Sequence, residues 1–238
     1  MARPARYACS VQILEDSMLG LRTARMLFRH RDRPASVTLF PMVHVGEQAF
    51  YEATHTDAFS HDVTLVEGVK SPVVRHLTRS YRWIDFRRLG LVLQPKAPPQ
   101  GEVASRIVHA DLSTDEFHRE WRRLPRLLRA TIFLLAPWIG LRRRFAASRE
   151  TLAHKMSLED RRSSEEVLRW SVTTERLDRS IIEARDRRLL ECLAAELDGA
   201  ERRIAIVYGA RHMRAVIRDL TGRGFYCAES RWQTIFAL

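Results

Sequence analysis

Lysine is nearly missing from this chain. It occurs only at 70, 96 and 155, so 37 of the 40 basic residues are arginine. The skew runs through the whole sequence, as though arginine had replaced lysine everywhere. A net charge of +11 first suggests nucleic acid. Arginines dispersed among acids disfavour that role, leaving a basic face that steers an acidic substrate or meets an anionic membrane. Cysteine is scarce as well. Cys9, Cys192 and Cys227 stand far apart without metal-type spacing, which excludes a disulfide frame and implies a reducing compartment. The first ten residues hold no apolar run of signal-peptide length, so the expected location is cytoplasmic.

The common catalytic signatures are also missing. There is no Gly-x-Ser-x-Gly, no His-Glu-x-x-His, no phosphate-binding glycine loop and no dinucleotide fingerprint. What the chain does have is 238 residues, 45% of them apolar, enough for one large domain with a real core.

Two stretches look like variants of one unit. The first is Val37-Thr-Leu-Phe-Pro-Met-Val-His44, a helical stretch, then Val63-Thr-Leu-Val-Glu67. The second is Ile204-Ala-Ile-Val-Tyr-Gly-Ala-Arg-His212, a helical stretch, then Phe225-Tyr-Cys-Ala-Glu229. Each reads as an apolar strand, a turn ending in histidine, a helix, and a strand ending in an acid. Paired units of this kind predict two histidines facing one site.

The remaining elements follow from pattern. Residues 7–14 alternate weakly and read as a strand. Residues 22–28 and 36–40 flank a polar turn and predict a hairpin. Residues 47–59 predict a helix with Ala49, Phe50, Ala53 and Ala58 inward. Residues 62–67 and 106–109 read as short strands, and 95–101 as loop. Ser113 and Glu116 form a capping box for a helix in which Phe117, Trp121, Leu124, Leu127 and Leu128 recur, with Pro125 predicting a kink. Residues 130–141 are the most apolar run, flanked by arginines. They fall short of the roughly 20 residues a span needs. A buried or lid helix, an interfacial membrane helix anchored by Trp138, and a dimer contact all fit it. A second capping box at Ser163 and Glu166 opens a long helix to about 197. Residues 203–208, 225–229 and 232–238 predict the last strands, with Ala215, Val216 and Leu220 inward on the helix between them.

Several residues could carry chemistry. His44 and His212 follow apolar strands, where open sheets place ligands. Gly209 suits a tight turn that presents His212. Glu67 is either a strand meeting water or a ligand or base, and Glu229 is its counterpart. Ile181, Ile182, Leu189, Leu190 and Leu193 share one helical arc with Arg185 and Asp186. Charges there are costly unless paired or set in a cleft. Arg185 is therefore a structural ion pair, an orienter of Glu67, or a binder of an anionic group or transition state. Asp111 is either an active-site acid or an acid near a helix start. His30, His55, His61, His76, His118 and His154 lie in polar contexts that predict solvation.

Phe40-Pro-Met-Val-His44-Val-Gly-Glu, the Leu-Val-Glu67-Gly-Val segment, Ala-Arg185-Asp186 and Val-Tyr-Gly209-Ala-Arg-His212-Met together resemble the TraB/PrgY–GumN–Tiki superfamily, with erythromycin esterases as distant relatives. The marks of that group are two Gly-x-x-His motifs, an acid after the first unit, and an Arg-Asp or Arg-Asn pair on a helix before the second. Order and approximate spacing agree from about residue 36 to 229. The resemblance implies a duplicated α/β core with a hydrolase-like site between its halves. Tiki proteins are described as metal-dependent peptidases of secreted signalling proteins, PrgY-type members are linked to peptide pheromone inhibition, and erythromycin esterases open a lactone with His and Glu. Carried over, His44 and His212 are the paired histidines, Glu67 the acid and Arg185 the helix arginine. Pro41 stands where the family has glycine, so the first turn is expected to differ.

The expected fold class is α/β, with α+β as the neighbouring option. Duplicated units would form a mixed central sheet, with core halves at about 1–112 and 199–238 and a helical lobe at about 113–198. The expected function is a metal-dependent hydrolase of an amide or ester, acting on a small molecule or peptide. His44, Glu67 and His212 would surround a zinc, cobalt or manganese ion or an activated water, with Arg185, Asp186 and Asp111 in support. The alternative is a non-enzymatic regulatory or membrane-peripheral protein that touches membrane through 130–141. Homo-oligomers are left open.

Overall fold

The computed structural model describes residues 11–68, 71, 73, 85–99, 101–123, 125–127, 129–131, 134, 148–161, 172–198 and 202–238. They form a mixed α/β fold around a seven-stranded sheet. Its strands are β1 (Leu14–Ser17), β2 (Gly20–His30), β3 (Ser36–Met42), β5 (Val63–Val66), β7 (Arg106–His109), β8 (Arg203–Gly209) and β9 (Phe225–Phe236). A separate small ladder pairs β4 (Val45–Gly46) with β6 (Val92–Leu93). The helices are α1 (Gln48–Ala58), α2 (Thr114–Arg122), α3 (Arg149–Arg161), α4 (Val172–Leu197) and α5 (Met213–Gly222).

The sheet runs β1-β2-β3-β8-β5-β7, with β9 also on β2. One edge of β2 holds β1 and then β3 end to end, and β9 runs along the other from Leu21 to His30. The expected hairpin of β2 and β3 is present. β3, β8, β5 and β7 are parallel neighbours. Ile204–Tyr208 of β8 is buried throughout, as a central parallel strand covered on both faces must be.

Those four strands finish at one edge. Met42 lies beside Gly209, Val66 beside Val207, and His109 beside Val66. The chain leaves β5 outward to β7, but leaves β8 back through α5 to β9. Connections that diverge in this way open a crevice between β5 and β8, where open α/β sheets bind ligands.

α1 begins at Gln48 as expected, but its inner face is Phe50, Tyr51, Thr54 and Ala58, while Ala49 and Ala53 are exposed. Small alanines lose the competition for the core to Tyr51, whose hydroxyl donates to the Val43 carbonyl at 2.8 Å. The Ser113–Glu116 capping box is formed, and Phe117 and Trp121 are buried beneath it. Pro125 follows the end of α2 at Arg122 rather than kinking it, and Leu127 is exposed. Proline supplies no N–H for the next helical bond, so the helix stops short of it. In α4, Leu189 and Leu193 are buried and Ile181, Ile182 and Leu190 half-buried. In α5, Val216 and Leu220 face inward together with Met213 and Ile217, and Ala215 is half-buried. Residues 225–229 and 232–238 do not make two strands. β9 is continuous across Ser230 because β2 offers one long partner. Of the strand expected at 7–14, residues 11–14 are described, and only Leu14 is extended, as the first residue of β1; the second capping box at Ser163 and most of the 130–141 run lie outside the described residues. Among the described residues, no helix is long and apolar enough to cross a membrane.

Candidate functional site

The crevice between β5 and β8 gathers most of the singled-out residues. Glu67 follows β5, Asp111 follows β7, Gly209 ends β8, and His212 closes the short 3-10 turn Ala210–His212 that leads into α5. Arg185 and Asp186 reach the same place from α4.

Arg185 joins two acids. Its Nη2 donates to Glu67 Oε1 at 2.5 Å and to Asp111 Oδ2 at 2.8 Å, and its Nε donates to Asp111 Oδ1 at 3.0 Å. Backbone amides complete both carboxylates. Gly209 N–H donates to Glu67 Oε2 at 2.7 Å, while Gly68 N–H at 3.0 Å and Leu112 N–H at 2.8 Å serve Asp111. Burial alone pushes both carboxyls up. The Arg185 guanidinium outweighs it and holds each below the usual carboxylate range, helped at Glu67 by His212 and His44. Burial opposes the charge of Arg185 too, but its acids hold it firmly protonated. Of the readings open for Arg185, the geometry gives the ion pair that orients Glu67.

His212 is 1% exposed, and its Nδ1 lies 2.6 Å from Asp186 Oδ1. A carboxylate only accepts, so Nδ1 carries a proton, which in the neutral ring leaves the lone pair on Nε2. The ring stands edge-on to Tyr208, centroids 5.0 Å apart.

The two histidines are not equivalent. In register, Pro41 pairs with Tyr208 and Met42 with Gly209, so the two motifs are offset by one residue. His212 is folded inward by its 3-10 turn. His44 sits in a bend between β3 and β4 and is exposed, with its carbonyl tied to Gln94 N–H at 2.9 Å. Pro41 lies inside β3, not in the turn, and there it suits an extended strand. His44 still acts electrostatically on Glu67.

Gly209 is needed for a different reason from the one expected. Its φ of −51° is open to any residue, so no unusual turn requires it. A Cβ there would meet Glu67 Oε2 at 3.1 Å and His212 Cδ2 at 3.5 Å. Glycine lets the backbone amide reach the carboxylate.

Some expectations fail. Glu229 does not end its strand. It sits within β9 opposite Leu27, bound to Arg231 at 2.7 Å and Arg25 at 3.5 Å, and takes no part in the site. His61 is buried, not solvated: Nδ1 meets the Asp57 carbonyl at 3.0 Å and Nε2 meets Thr38 Oγ1 at 2.9 Å. His30, His55 and His118 are half-buried, His154 is exposed, and His76 lies outside the described residues. Polar neighbours in sequence gave no sign of the apolar packing that partly covers these rings, such as Phe225 against His30 and Phe59 against His55. Tyr208 was not singled out, yet it lies under the Arg185 guanidinium at 5.5 Å. The available signal was an aromatic with a polar tip at the end of an otherwise apolar strand.

Among the described residues, no group of three or more His, Cys, Asp or Glu side chains is arranged to hold a metal ion. Both Glu67 oxygens already accept hydrogen bonds, one from a guanidinium, and the His212 proton is fixed by Asp186. No family model, curated protein or solved structure matches the chain.

Proposed function

We propose that this chain is a hydrolase of the TraB–Tiki type that opens an amide or ester carbonyl of a small molecule or peptide with a water activated by His212. The fold reading that goes with it is a duplicated core. β3–His44–α1–β5 and β8–His212–α5–β9 would be its two units, and the lobe at about 113–198 would supply Arg185 and Asp186.

The observation that carries this reading is the Asp186–His212 pair beside an ionised Glu67 at the sheet's carboxyl edge. Asp186 fixes the tautomer, so His212 Nε2 takes a proton as water oxygen attacks the carbonyl carbon. Glu67 and Asp186 stabilise the imidazolium that forms. His44, on the exposed side, returns a proton to the leaving group. Arg185 positions Glu67 and Asp111 and keeps them charged.

The test is turnover of a panel of nitrophenyl esters and fluorogenic peptides by wild type, His212→Ala and Glu67→Gln, with metal content measured alongside. Wild-type turnover that falls at least about 10²-fold in His212→Ala supports the reading. Full turnover in that variant removes His212 from it. Bound metal lost in both variants would move the three residues to metal ligation. No wild-type turnover on any substrate leaves the non-enzymatic class.

One observation favours a membrane-peripheral role beside this. Leu127, Ala130, Thr131 and Leu134 are helical residues at spacings that share a face, and all are exposed, Leu127 at 80% and Leu134 at 77%. Co-sedimentation with anionic vesicles, for wild type and Leu127→Ser/Leu134→Ser, decides it. Equal binding by both proteins would remove this face from the membrane.

A further inference from the structure

β9 is a twelve-residue strand with β2 on one side and, among the described residues, no strand on the other. It carries neither proline nor lysine to blunt that outer edge. Tyr226, Ala228, Ser230, Arg231, Trp232 and Thr234 are exposed, Tyr226 at 46% and Trp232 at 42%. Phe225 is buried at one end, and at the other the Ile235 carbonyl accepts from Glu47 N–H at 2.9 Å. The open stretch lies between these two residues.

The ladder fixes which main-chain groups face outward. Ala24 N–H donates to the Ile13 carbonyl at 2.9 Å, on the β1 side of β2. Successive residues of an antiparallel strand turn their N–H and C=O to alternate edges. Thr23, Arg25 and Leu27 therefore face β9, where they stand opposite Gln233, Arg231 and Glu229. Ser230 and Trp232, opposite Met26 and Ala24, turn their N–H and C=O away from the sheet. The only charges on β9 flank Ser230. Glu229 binds Arg231 at 2.7 Å and also Arg25 at 3.5 Å, while Arg231 stands directly opposite Arg25. One carboxylate is thus divided between two guanidiniums.

We infer that the outer edge of β9 pairs antiparallel with β9 of a second copy of this chain, about a two-fold axis at Ser230. An isologous contact brings the same patch together from both copies, so the strand must complement itself. On this axis Glu229 of each copy lies opposite Arg231 of the other, and each Arg231 gains an acid it need not share with Arg25. Unlike charges facing across a ladder stabilise it. Moving the axis one residue either way sets Glu229 against Glu229 or Arg231 against Arg231. On the Ser230 axis, the exposed Trp232 indole meets Ala228, which the register shift leaves opposite no residue of β2. The two Ser230 residues exchange main-chain bonds on the axis, as in other strand-addition contacts. The inference stands apart from the hydrolase reading, because β2, β3 and β8 separate β9 from β5 in the sheet.

The experiment is sedimentation velocity of the full chain over a dilution series, for wild type, Ser230→Pro, Glu229→Arg and Arg231→Glu. Wild type should form dimers that dissociate on dilution. Ser230→Pro removes an outward N–H and no bond to β2, so it should be monomeric with the wild-type far-ultraviolet spectrum. Each charge reversal alone should raise the dimer Kd by at least about tenfold, and an equal mixture of the two should restore dimers, because unlike charges then face again. Wild type that stays monomeric overturns the proposal. Hydrogen exchange then shows the occupant: slow amides at Ser230 and Trp232 give the edge to a segment of this same chain, and fast ones leave it open. Dimers untouched by all three variants place the contact elsewhere and overturn it too. Reversals that weaken the dimer without rescue on mixing overturn the axis at Ser230, and the proposal with it. If Ser230→Pro does not fold, the reversals and their mixture decide alone.

Discussion

Nδ1 of His212 lies 2.6 Å from Oδ1 of Asp186, joining the turn after β8 to the middle of α4. Residues 26 positions apart thus form one acid–histidine pair. Its prediction concerns the tautomer. In Asp186→Asn the amide can donate to Nδ1, which moves the ring proton to Nε2 and removes the base. Turnover should fall by about 10²–10⁴-fold while melting changes little. Ring-nitrogen chemical shifts of His212 should show the tautomer exchanged. Wild-type turnover in Asp186→Asn would sink the pair as a catalytic unit.

Arg185 is predicted to matter to stability more than any surface arginine. Its side chain and that of Glu67 are each 18% exposed, and that of Asp111 is 1% exposed. Removing the guanidinium leaves two buried carboxylates sharing no cation. Breaking a buried pair from one side costs about 3–5 kcal/mol. Arg185→Ala should lose that much in urea unfolding. Arg185→Lys should recover little, because one ammonium cannot span both acids as the planar fork does. A loss below about 1 kcal/mol would mean the pair behaves like an exposed one.

The sequence showed the elements where periodicity and burial agree. β3, β8, α1 and the capping box of α2 are local events with local signals. It also brought out His44, Glu67, Asp111, Arg185, Asp186 and Gly209-to-His212 as candidates. Hydrogen bonds join Glu67, Asp111, Arg185 and Gly209 in one set and pair Asp186 with His212 in another, while His44 is exposed. What it hid depends on strand order. Insertion of β8 between β3 and β5 sets the motifs one residue out of register, which buries His212 and leaves His44 exposed. Glu229 resembles Glu67 in sequence, but its strand pairs with β2, far along the sheet from β5. No pattern within either segment carries that difference.

Gly209 gives a prediction with a built-in control. Its backbone conformation accepts alanine, so Gly209→Ala carries no torsional strain. The added Cβ would press on Glu67 Oε2 at 3.1 Å. Overpacking of this kind costs about 1–3 kcal/mol, and displacement of Glu67 should lower turnover by about tenfold or more. Gly222→Ala, where a Cβ meets nothing within 4 Å, should change neither. Equal turnover in the two variants would remove the contact between Gly209 and Glu67 from the argument.

His61 and the carboxylate pair Glu67 and Asp111 should destabilise the protein in separate pH windows. His61 is held neutral: burial pushes its ring below the usual histidine range, against the pull of the Asp57 carbonyl and carboxylate. A folded pKa below the unfolded one means stability is complete above about 6.5 and is lost as pH falls from there. Glu67 and Asp111 are also held below their usual range, so their contribution is complete above about 4.3 and is lost only as pH falls further. Melting temperature followed from pH 8 to 3 should therefore decline in two stages. His61→Asn should flatten the first and leave the second. Glu67→Gln should reduce the second and leave the first, at a lower starting stability because Arg185 loses one of its two charges. A single decline, unmoved by His61→Asn, would show that His61 gains its proton as easily in the fold as outside it.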